Sequence, residues 1–229
     1  MKKLLILSAL LLFIANTSFA QCNEMFDYQE GTSWQWTNYD KKGKLLGKSM
    51  QKIEKFSKTS NGFEVTISLV QTDKKGDQTE PVSMDMECKD GVVYFDMKKF
   101  IPDEYLQDDE GEVSVEVTGE NLEMPINLKT GDYLKDASVT MNLGGSGSPM
   151  TMNMTVEIFN RKVDGEEVLH TPAGEFDCFI ISQSIKTKAI ISMQMESKEW
   201  YSQGVGMIKS ESYRKGKMIG YNILTQFSK

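Results

Sequence analysis

The segment FEVTISL, Phe63 to Leu69, alternates apolar and polar side chains without interruption. Its odd-numbered residues are apolar and its even-numbered residues are polar. Successive side chains of a β-strand point to opposite faces, so the pattern predicts a strand with one buried and one solvated face. The same period of two recurs in Val113–Val117, Val139–Leu143, Ile191–Met195 and Ile219–Ile223. The chain is therefore expected to be mainly β.

Short segments rich in glycine, aspartate, asparagine and lysine separate these runs and are typical of hairpin turns. They are DKKGK (40–44), SNG (60–62), DKKGD (73–77), DG (90–91), DG (164–165), PAG (172–174) and KGK (215–217). GGSGSP (144–149) is predicted to be a looser hairpin loop. We expect about ten to twelve strands. Only Lys98–Asp109 and Leu128–Asp136 offer short helical turns.

So few helical residues cannot cover the apolar face of a sheet this large. Each fully buried aliphatic side chain contributes about 1.5–3 kcal/mol, so that face is not left in water. The sheet must curl on itself or stack on a second sheet. We predict a curved antiparallel meander sheet that forms a half-open barrel, with one or two short helical segments. Lys98–Asp109 is expected to act as a plug or lid.

The N-terminus has the features of a bacterial secretory signal peptide, predicted to span residues 1–20. Lys2 and Lys3 precede a short apolar run, and Ala20 supplies a small residue before the expected cut. Residues 21–229 are predicted to form a single antiparallel β domain, exported to the periplasm or the extracellular space. No later apolar run approaches the length of a membrane span. A rival interpretation is cleavage before Cys22 and lipoprotein anchoring through its sulfur.

The charge and the cysteines narrow the class of protein further. The formal net charge is −7, and an acidic surface repels phosphate backbones, so nucleic-acid binding is not expected. The three cysteines are Cys22, Cys88 and Cys178. Export permits a disulfide, but the count is odd, and buried thiols explain Cys88 and Cys178 equally well. The pairing stays open at this stage.

Residues with catalytic or metal-binding patterns are scarce. The chain has one histidine, His170, which cannot support a multi-histidine zinc site. No nucleophile elbow, dinucleotide fingerprint or phosphate loop occurs, and the acidic cluster between Asp103 and Glu112 lacks the spacing of a calcium loop. We expect no enzymatic activity, no cofactor and no metal. Trp34 and Trp36 share one strand face, where they anchor the core or stack on a sugar or lipid.

Methionines alternate with polar residues in three runs, Met84/Met86, Met150/Met152/Met154 and Met193/Met195, and the chain holds 15 in all. Three interpretations are open: core filling, an adaptable apolar binding surface, and a thioether site for Cu(I). The functional hypothesis is the second, with a lipid or acylated molecule on the concave face of the curved sheet. Its predicted contact residues are Met150, Met152, Met154, Met193 and Met195. The alternative is a structural or envelope-assembly module with a packed core and a protein partner.

Three segments carry a resemblance to a known group of proteins. They are FDYQEGTSWQWTNYDKKGKLLGKS, HTPAGEFDCFIISQSI and EWYSQGVGMIKSESYRKGKMIGYNIL. Together they resemble the TapB-like exported proteins, a group of unknown function. The architecture implied by this resemblance is similar to that of LolA/LolB-type lipoprotein carriers, a curved antiparallel sheet half-closed over short helices. A carrier function does not follow from that architecture alone.

Overall fold

A computed structural model describes Cys22, Phe26 and residues 28–96, 114–144, 152–189 and 191–229, without the side chains of residues 114–116, 143, 144 and 152. This part of the chain contains thirteen strands and almost no helix. The strands are β1 (Ser33–Asp40), β2 (Leu45–Thr59), β3 (Gly62–Asp73), β4 (Val82–Lys89), β5 (Val92–Phe95), β6 (Ser114–Gly119), β7 (Leu122–Pro125), β8 (Ala137–Gly144), β9 (Met152–Thr171), β10 (Gly174–Lys188), β11 (Met193–Ser202), β12 (Gly206–Arg214) and β13 (Lys217–Ser228).

All thirteen strands belong to one antiparallel sheet, in the order β6-β8-β9-β10-β11-β12-β13-β1-β2-β3-β4-β5-β7. Most neighbours are consecutive in sequence, as a meander requires. The exception at the centre is the pairing of the first strand with the last, from Ser33 opposite Ser228 to Asp40 opposite Gly220. The predicted mainly β, antiparallel fold is confirmed. The predicted strand count is slightly low because β5 and β7, with four residues each, are too short to show a period.

The sheet curves strongly, as the connection between β7 and β8 (residues 126–136) shows. Its backbone hydrogen-bonds to β9: Gly131 N donates to Val163 O at 2.8 Å, and Leu134 N donates to Arg161 O at 2.9 Å. Ten steps separate β7 from β9 in the sheet, or about 48 Å if the sheet were flat. Six residues beyond Pro125 reach only about 20 Å. The two regions therefore meet because the open sheet curls around a concave face.

Most of the predicted turns are confirmed as strand connections. Segments 40–44, 60–62, 90–91, 172–174 and 215–217 join consecutive paired strands, and 74–76 form the turn after β3. In the first of them, Asp40 Oδ1 accepts the backbone N–H groups of Lys42 at 2.8 Å and Lys44 at 2.9 Å. These bonds lower the pKa of the Asp40 carboxyl. The turn chemistry of the sequence was therefore a reliable guide.

The predicted turn at Asp164-Gly165 is wrong. Both residues lie inside β9, where Val163 is opposite Ile181 and Gly165 is opposite Ile180. Asp164 is thus the extra residue of a β-bulge. Residues that suit a tight turn also suit a bulge, because both structures depart from the regular strand geometry. The sequence pattern alone does not separate the two.

The predicted helical turn at Leu128–Asp136 is also wrong. This segment belongs to the connection between β7 and β8 and runs along the edge of β9 that β8 leaves open. Strand edges need partners for their backbone groups, and this demand outweighs a weak local helical preference. The predicted signal peptide, the predicted plug at Lys98–Asp109, the acidic cluster from Asp103 and the loop residues 145–149 lie outside the described residues. Within the described residues, no helix is long and apolar enough to span a bilayer.

The cysteine pairing left open by the sequence is Cys22 with Cys88, whose Cα atoms lie 5.8 Å apart. Of the two alternatives left open for Cys88, the disulfide is therefore correct and the free buried thiol is wrong. Cys178 is the free, buried thiol, and burial raises its pKa to about 12. The bridge attaches the N-terminal segment to β4, where Cys88 lies opposite Phe63. It thereby holds Phe26 and Tyr28 against the concave face.

We expect the chain starting at Gln21 to present one thiol when unfolded without reductant, and three after reduction. Cys22→Ser should lower the free energy of unfolding by about 2–4 kcal/mol, since the bridge closes a sequence separation of 66 residues. Thiol titration in denaturant and urea unfolding measure the two effects. Cys178→Ser, which leaves the bridge intact, is the control for losing a buried cysteine. Two or three titratable thiols in the unreduced chain would contradict this pairing.

Candidate functional site

The concave face contains a partly open cavity with a volume of about 290 Å³. This is close to the lower end of the range for small-molecule sites, about 300–1,000 Å³. Its walls come from strands on both sides of the sheet centre and from the connection after β7, and they are mostly apolar. The aromatic lining residues are Phe26, Tyr28, Trp34, Trp36, Phe95, Phe179 and Tyr201. The arrangement suits a ligand with a large apolar surface.

The two tryptophans of β1 are fixed by hydrogen bonds across the concave face. Trp34 Nε1 donates to Val205 O at 2.9 Å, and Trp36 Nε1 donates to Met207 O at 3.0 Å. Both side chains are buried, and both line the cavity. The predicted core-anchoring role is therefore confirmed. Because their polar atoms are satisfied by backbone carbonyls, the indole rings present only apolar surface to the cavity.

The N-terminal segment adds an aromatic cover to this wall. The Tyr28 ring lies 5.1 Å from the Trp34 ring in an edge-to-face arrangement, and the Phe26 ring lies 5.6 Å from the Phe63 ring. Burial raises the pKa of the Tyr28 hydroxyl. Since the Cys22–Cys88 bridge holds this segment, the disulfide and the cavity wall belong to one structural unit.

Methionines do line the cavity, but they are not the predicted ones. Met84 and Met86 come from β4, Met124 from β7 and Met207 from β12. Met84 and Met86 alternate with polar residues next to Cys88, a pattern visible in the sequence. Met124 and Met207 lie in runs with no methionine period, and only the curl of the sheet brings them together. No sequence signal identified these two.

The predicted methionines belong to a separate apolar patch. Met154 lies opposite Met141, Met195 opposite Ile185 and Met193 opposite Thr187. Cross-strand partners share a face, and Ile185 lies on the same face of β10 as Phe179, which lines the cavity. Met154 and Met195 are half-buried, and Met193 is exposed. Met150 and the side chain of Met152 lie outside the described residues. A contact between these five residues and a ligand stays a prediction.

A buried polar network separates the patch from the cavity. Arg161 Nε donates to Gln183 Oε1 at 3.2 Å, and Gln183 Nε2 donates to Glu199 Oε1 at 2.9 Å. Ser197 and Tyr201 also donate hydrogen bonds to Glu199. Tyr201 lines the cavity, so the network ends at its wall. Sequence reasoning missed this network, because its members are scattered over three strands.

Arg161 also fastens the edge of the sheet. Its Nη1 donates to Lys135 O at 2.7 Å and to Glu123 O, in β7, at 2.9 Å. The β9–β10 register shifts here, so that Asn160 and Arg161 together face Gln183, and Asn160 adopts a left-handed φ of 55°. Asparagine tolerates this conformation better than most residues. The bulge thus turns a fully buried guanidinium toward the connection that closes the concave face.

The electrostatics of the network follow from burial. Burial lowers the pKa of the Arg161 guanidinium, while the negative charge of Glu199 opposes that change. Burial raises the pKa of Glu199, against the opposing hydrogen bonds of Tyr201, Ser197 and Gln183 and the charge of Arg161. Arg161 Nη2 is buried without a hydrogen-bond partner among the described residues. A buried charge of this kind is held by its network and is costly to isolate.

His170 lies away from the cavity, at the exposed end of the β9–β10 hairpin. Its Nδ1 is 3.1 Å from Glu175 Oε2, and both side chains are exposed. In the part of the chain that the structure describes, no group of three or more histidine, cysteine or acidic side chains is arranged to hold a metal ion.

A family model described as DUF3108-like matches residues 29–224, which include both β1 and most of β13. The chain belongs to the DUF3108-like family. The match spans the strands that build the cavity and the Arg161 network. No curated protein matches the chain.

Two solved structures share this DUF3108-like fold. A Bacteroides fragilis protein, described as exported with a YmcC-like fold, is 21% identical with a TM-score of 0.69, covering 90% of this chain and 99% of its own. A Parabacteroides distasonis protein, described as a lipoprotein, is 24% identical with a TM-score of 0.69, covering 89% of this chain and 97% of its own. At these identities the likeness establishes the fold alone.

Arg161→Met should lower the free energy of unfolding by about 3–5 kcal/mol, because it leaves Glu199 buried without its nearby cation and frees two carbonyls. Denaturant unfolding measures the loss. Lys188→Met is the control: it removes a cation whose partner Glu157 is partly exposed, and should cost about 1 kcal/mol or less.

The double variant Arg161→Met/Glu199→Gln keeps the test informative if the single variant does not fold. Removing the isolated carboxylate should recover part of the lost stability, since the two residues belong to one network. Equal losses for Arg161→Met and Lys188→Met would show that Arg161 does not fasten the sheet.

Proposed function

We propose that this chain is an exported, non-catalytic binding protein that holds an apolar ligand, a lipid or acylated molecule, in the concave cavity. The cavity of about 290 Å³, with its aromatic and methionine lining, is the observation that carries the proposal. Methionine-rich walls adapt to apolar ligands of varied shape. Gln51, Ser202 and Gln203 are among the few polar lining residues. The cavity would therefore recognise a ligand by shape and apolar contact rather than by directional hydrogen bonds.

Export is supported by three observations. The sequence predicts a leader over residues 1–20 followed by one β domain over 21–229. The Cys22–Cys88 disulfide requires an oxidising compartment such as the periplasm or the extracellular space. The two structural relatives are described as an exported protein and a lipoprotein. We propose that the mature chain begins at Gln21.

We propose further that the mature chain carries no lipid on Cys22. A lipoprotein anchor is a thioether on the sulfur of the first cysteine, and the Cys22 sulfur is bonded to Cys88. One sulfur cannot make both bonds. Mass spectrometry of the exported chain distinguishes a mass beginning at Gln21 from one with a lipidated Cys22.

The main alternative is an envelope-assembly module with a packed core and a protein partner. A closed, dry interior would favour it, whereas the described part of the chain has an open apolar cavity. The predicted likeness to TapB-like proteins and to LolA/LolB-type carriers agrees with the ligand-binding proposal, and it remains a prediction. Ligand binding by the purified chain decides between the two functions.

Gln51→Trp should weaken the binding of N-phenylnaphthylamine, an apolar fluorescent probe, by at least about tenfold. Gln51 lines the cavity opposite Trp34, so an added indole fills the space that the probe needs. The matched control is Met50→Trp, which adds the same indole to the opposite face of β2, where Met50 is 45% exposed. Fluorescence titration, followed by displacement with palmitate, measures the affinity.

Both variants are first compared by thermal unfolding, so that a loss of binding is not a loss of fold. Equal probe affinity for Gln51→Trp and Met50→Trp would show that the probe binds elsewhere. No measurable probe binding by the unmodified chain, or bound probe that palmitate does not displace, would favour the assembly module.

A further inference from the structure

Two hairpin tips lie side by side at one end of the sheet. Asp40, the last residue of β1, is opposite Gly220 of β13. The β1–β2 turn (residues 41–44) therefore emerges next to the β12–β13 turn (residues 215–216). We call these tips and their flanking residues, 39–46 and 214–221, the basic end. The β11–β12 turn, which lines the cavity, lies at the opposite end of the sheet.

The basic end concentrates positive charge in an acidic protein. The whole chain has a formal net charge of −7. The two tips nevertheless carry six exposed cations, Lys41, Lys42, Lys44, Arg214, Lys215 and Lys217. The ion pairs among the described residues include none of them. These tips contain one acidic residue, Asp40, whose carboxylate accepts hydrogen bonds from the backbone of its own turn.

Exposed apolar side chains accompany these cations. Leu45 is 40% exposed, Leu46 is 51% exposed and Ile219 is 42% exposed. Beside them, the Tyr39 and Tyr221 rings stack with their centroids 5.0 Å apart. Protein surfaces that bind a bilayer typically combine aliphatic and tyrosine side chains with lysines. On such surfaces the cations contact lipid headgroups and the apolar side chains enter the interface.

We propose that the basic end docks the protein onto a membrane surface rich in anionic phospholipid. The lysines and the arginine meet the phosphate groups, and the leucines, the isoleucine and the tyrosine pair enter the headgroup region. An acidic protein or polysaccharide explains the cations but gives the exposed aliphatic side chains no role. The inference concerns a surface apart from the cavity, and it holds whether or not the cavity binds a ligand.

Vesicle flotation with the chain from Gln21 onward tests this surface. Vesicles of phosphatidylcholine are compared with vesicles of equal parts phosphatidylcholine and phosphatidylglycerol. We expect binding to the anionic vesicles and little binding to the neutral ones. Each lysine near an anionic surface contributes about fivefold to partitioning, so four Lys→Gln changes should weaken binding at least about a hundredfold. The changed lysines are Lys41, Lys42, Lys215 and Lys217.

The matched control makes the same change of net charge elsewhere on the surface, at four other exposed lysines. They are Lys55, Lys58, Lys89 and Lys129. A loss of binding as large as that of the basic-end variant would overturn the proposal, because total charge rather than location would then decide binding. Absence of flotation with the unmodified chain would overturn it directly.

A second pair of variants tests the apolar contribution at constant charge. Leu45→Ser/Leu46→Ser should weaken binding to the anionic vesicles about tenfold. The control is Val168→Ser, which removes an aliphatic side chain that is 51% exposed near the opposite end of the sheet. Unchanged binding by the leucine variant would overturn the membrane assignment. Binding would then rest on charge alone, and nothing would distinguish a membrane surface from any other anionic partner.

Discussion

The closure of the concave face depends on Arg161. A thirteen-stranded sheet has two edges, and without a reason to curl it would leave its apolar face in water. Arg161 lies in β9 and donates hydrogen bonds to backbone carbonyls in β7 and in the connection that follows. β7 and β9 are ten steps apart in the strand order, so Arg161 Nη1 comes within 2.9 Å of Glu123 O only because the sheet is curled. Its burial is tolerated because Gln183 links it to Glu199, which also accepts hydrogen bonds from Ser197 and Tyr201. This buried cation thus adds its hydrogen bonds to the backbone contacts that hold the sheet curled around the cavity.

The other parts of the site follow from this curvature. The curl brings β4 and β7 to face β10 and β12, so that methionines distant in sequence line one cavity. The Cys22–Cys88 bridge then holds an aromatic segment over the same wall. The polar network divides the concave face into the cavity and the separate methionine patch around Met154 and Met195. The basic end is independent of this closure, since it is set by the central pairing of β1 with β13.

The sequence predicted the strands well and the site poorly, for a physical reason. The period of two in Phe63–Leu69 depends only on the residues of one strand. The turns at Asp40 and Lys215 likewise depend only on local residues. Lining a cavity is a property of the curled sheet: Met207 and Met124 become neighbours only through long-range pairing. Asp164-Gly165 shows the same limit, because its local chemistry fits a turn or a bulge and only the partner strand decides. The methionine period was a true strand signal over Met152–Met154, and Met154 lies on a different part of the concave face.

We propose that the curled sheet holds an apolar ligand. Native mass spectrometry of the mature protein, purified from the cell envelope or medium without detergent, tests it most directly. We expect a bound species of several hundred daltons, on the scale of a lipid, that is lost after organic-solvent extraction and regained on incubation with a lipid extract. A bare chain mass before and after that incubation would contradict the claim.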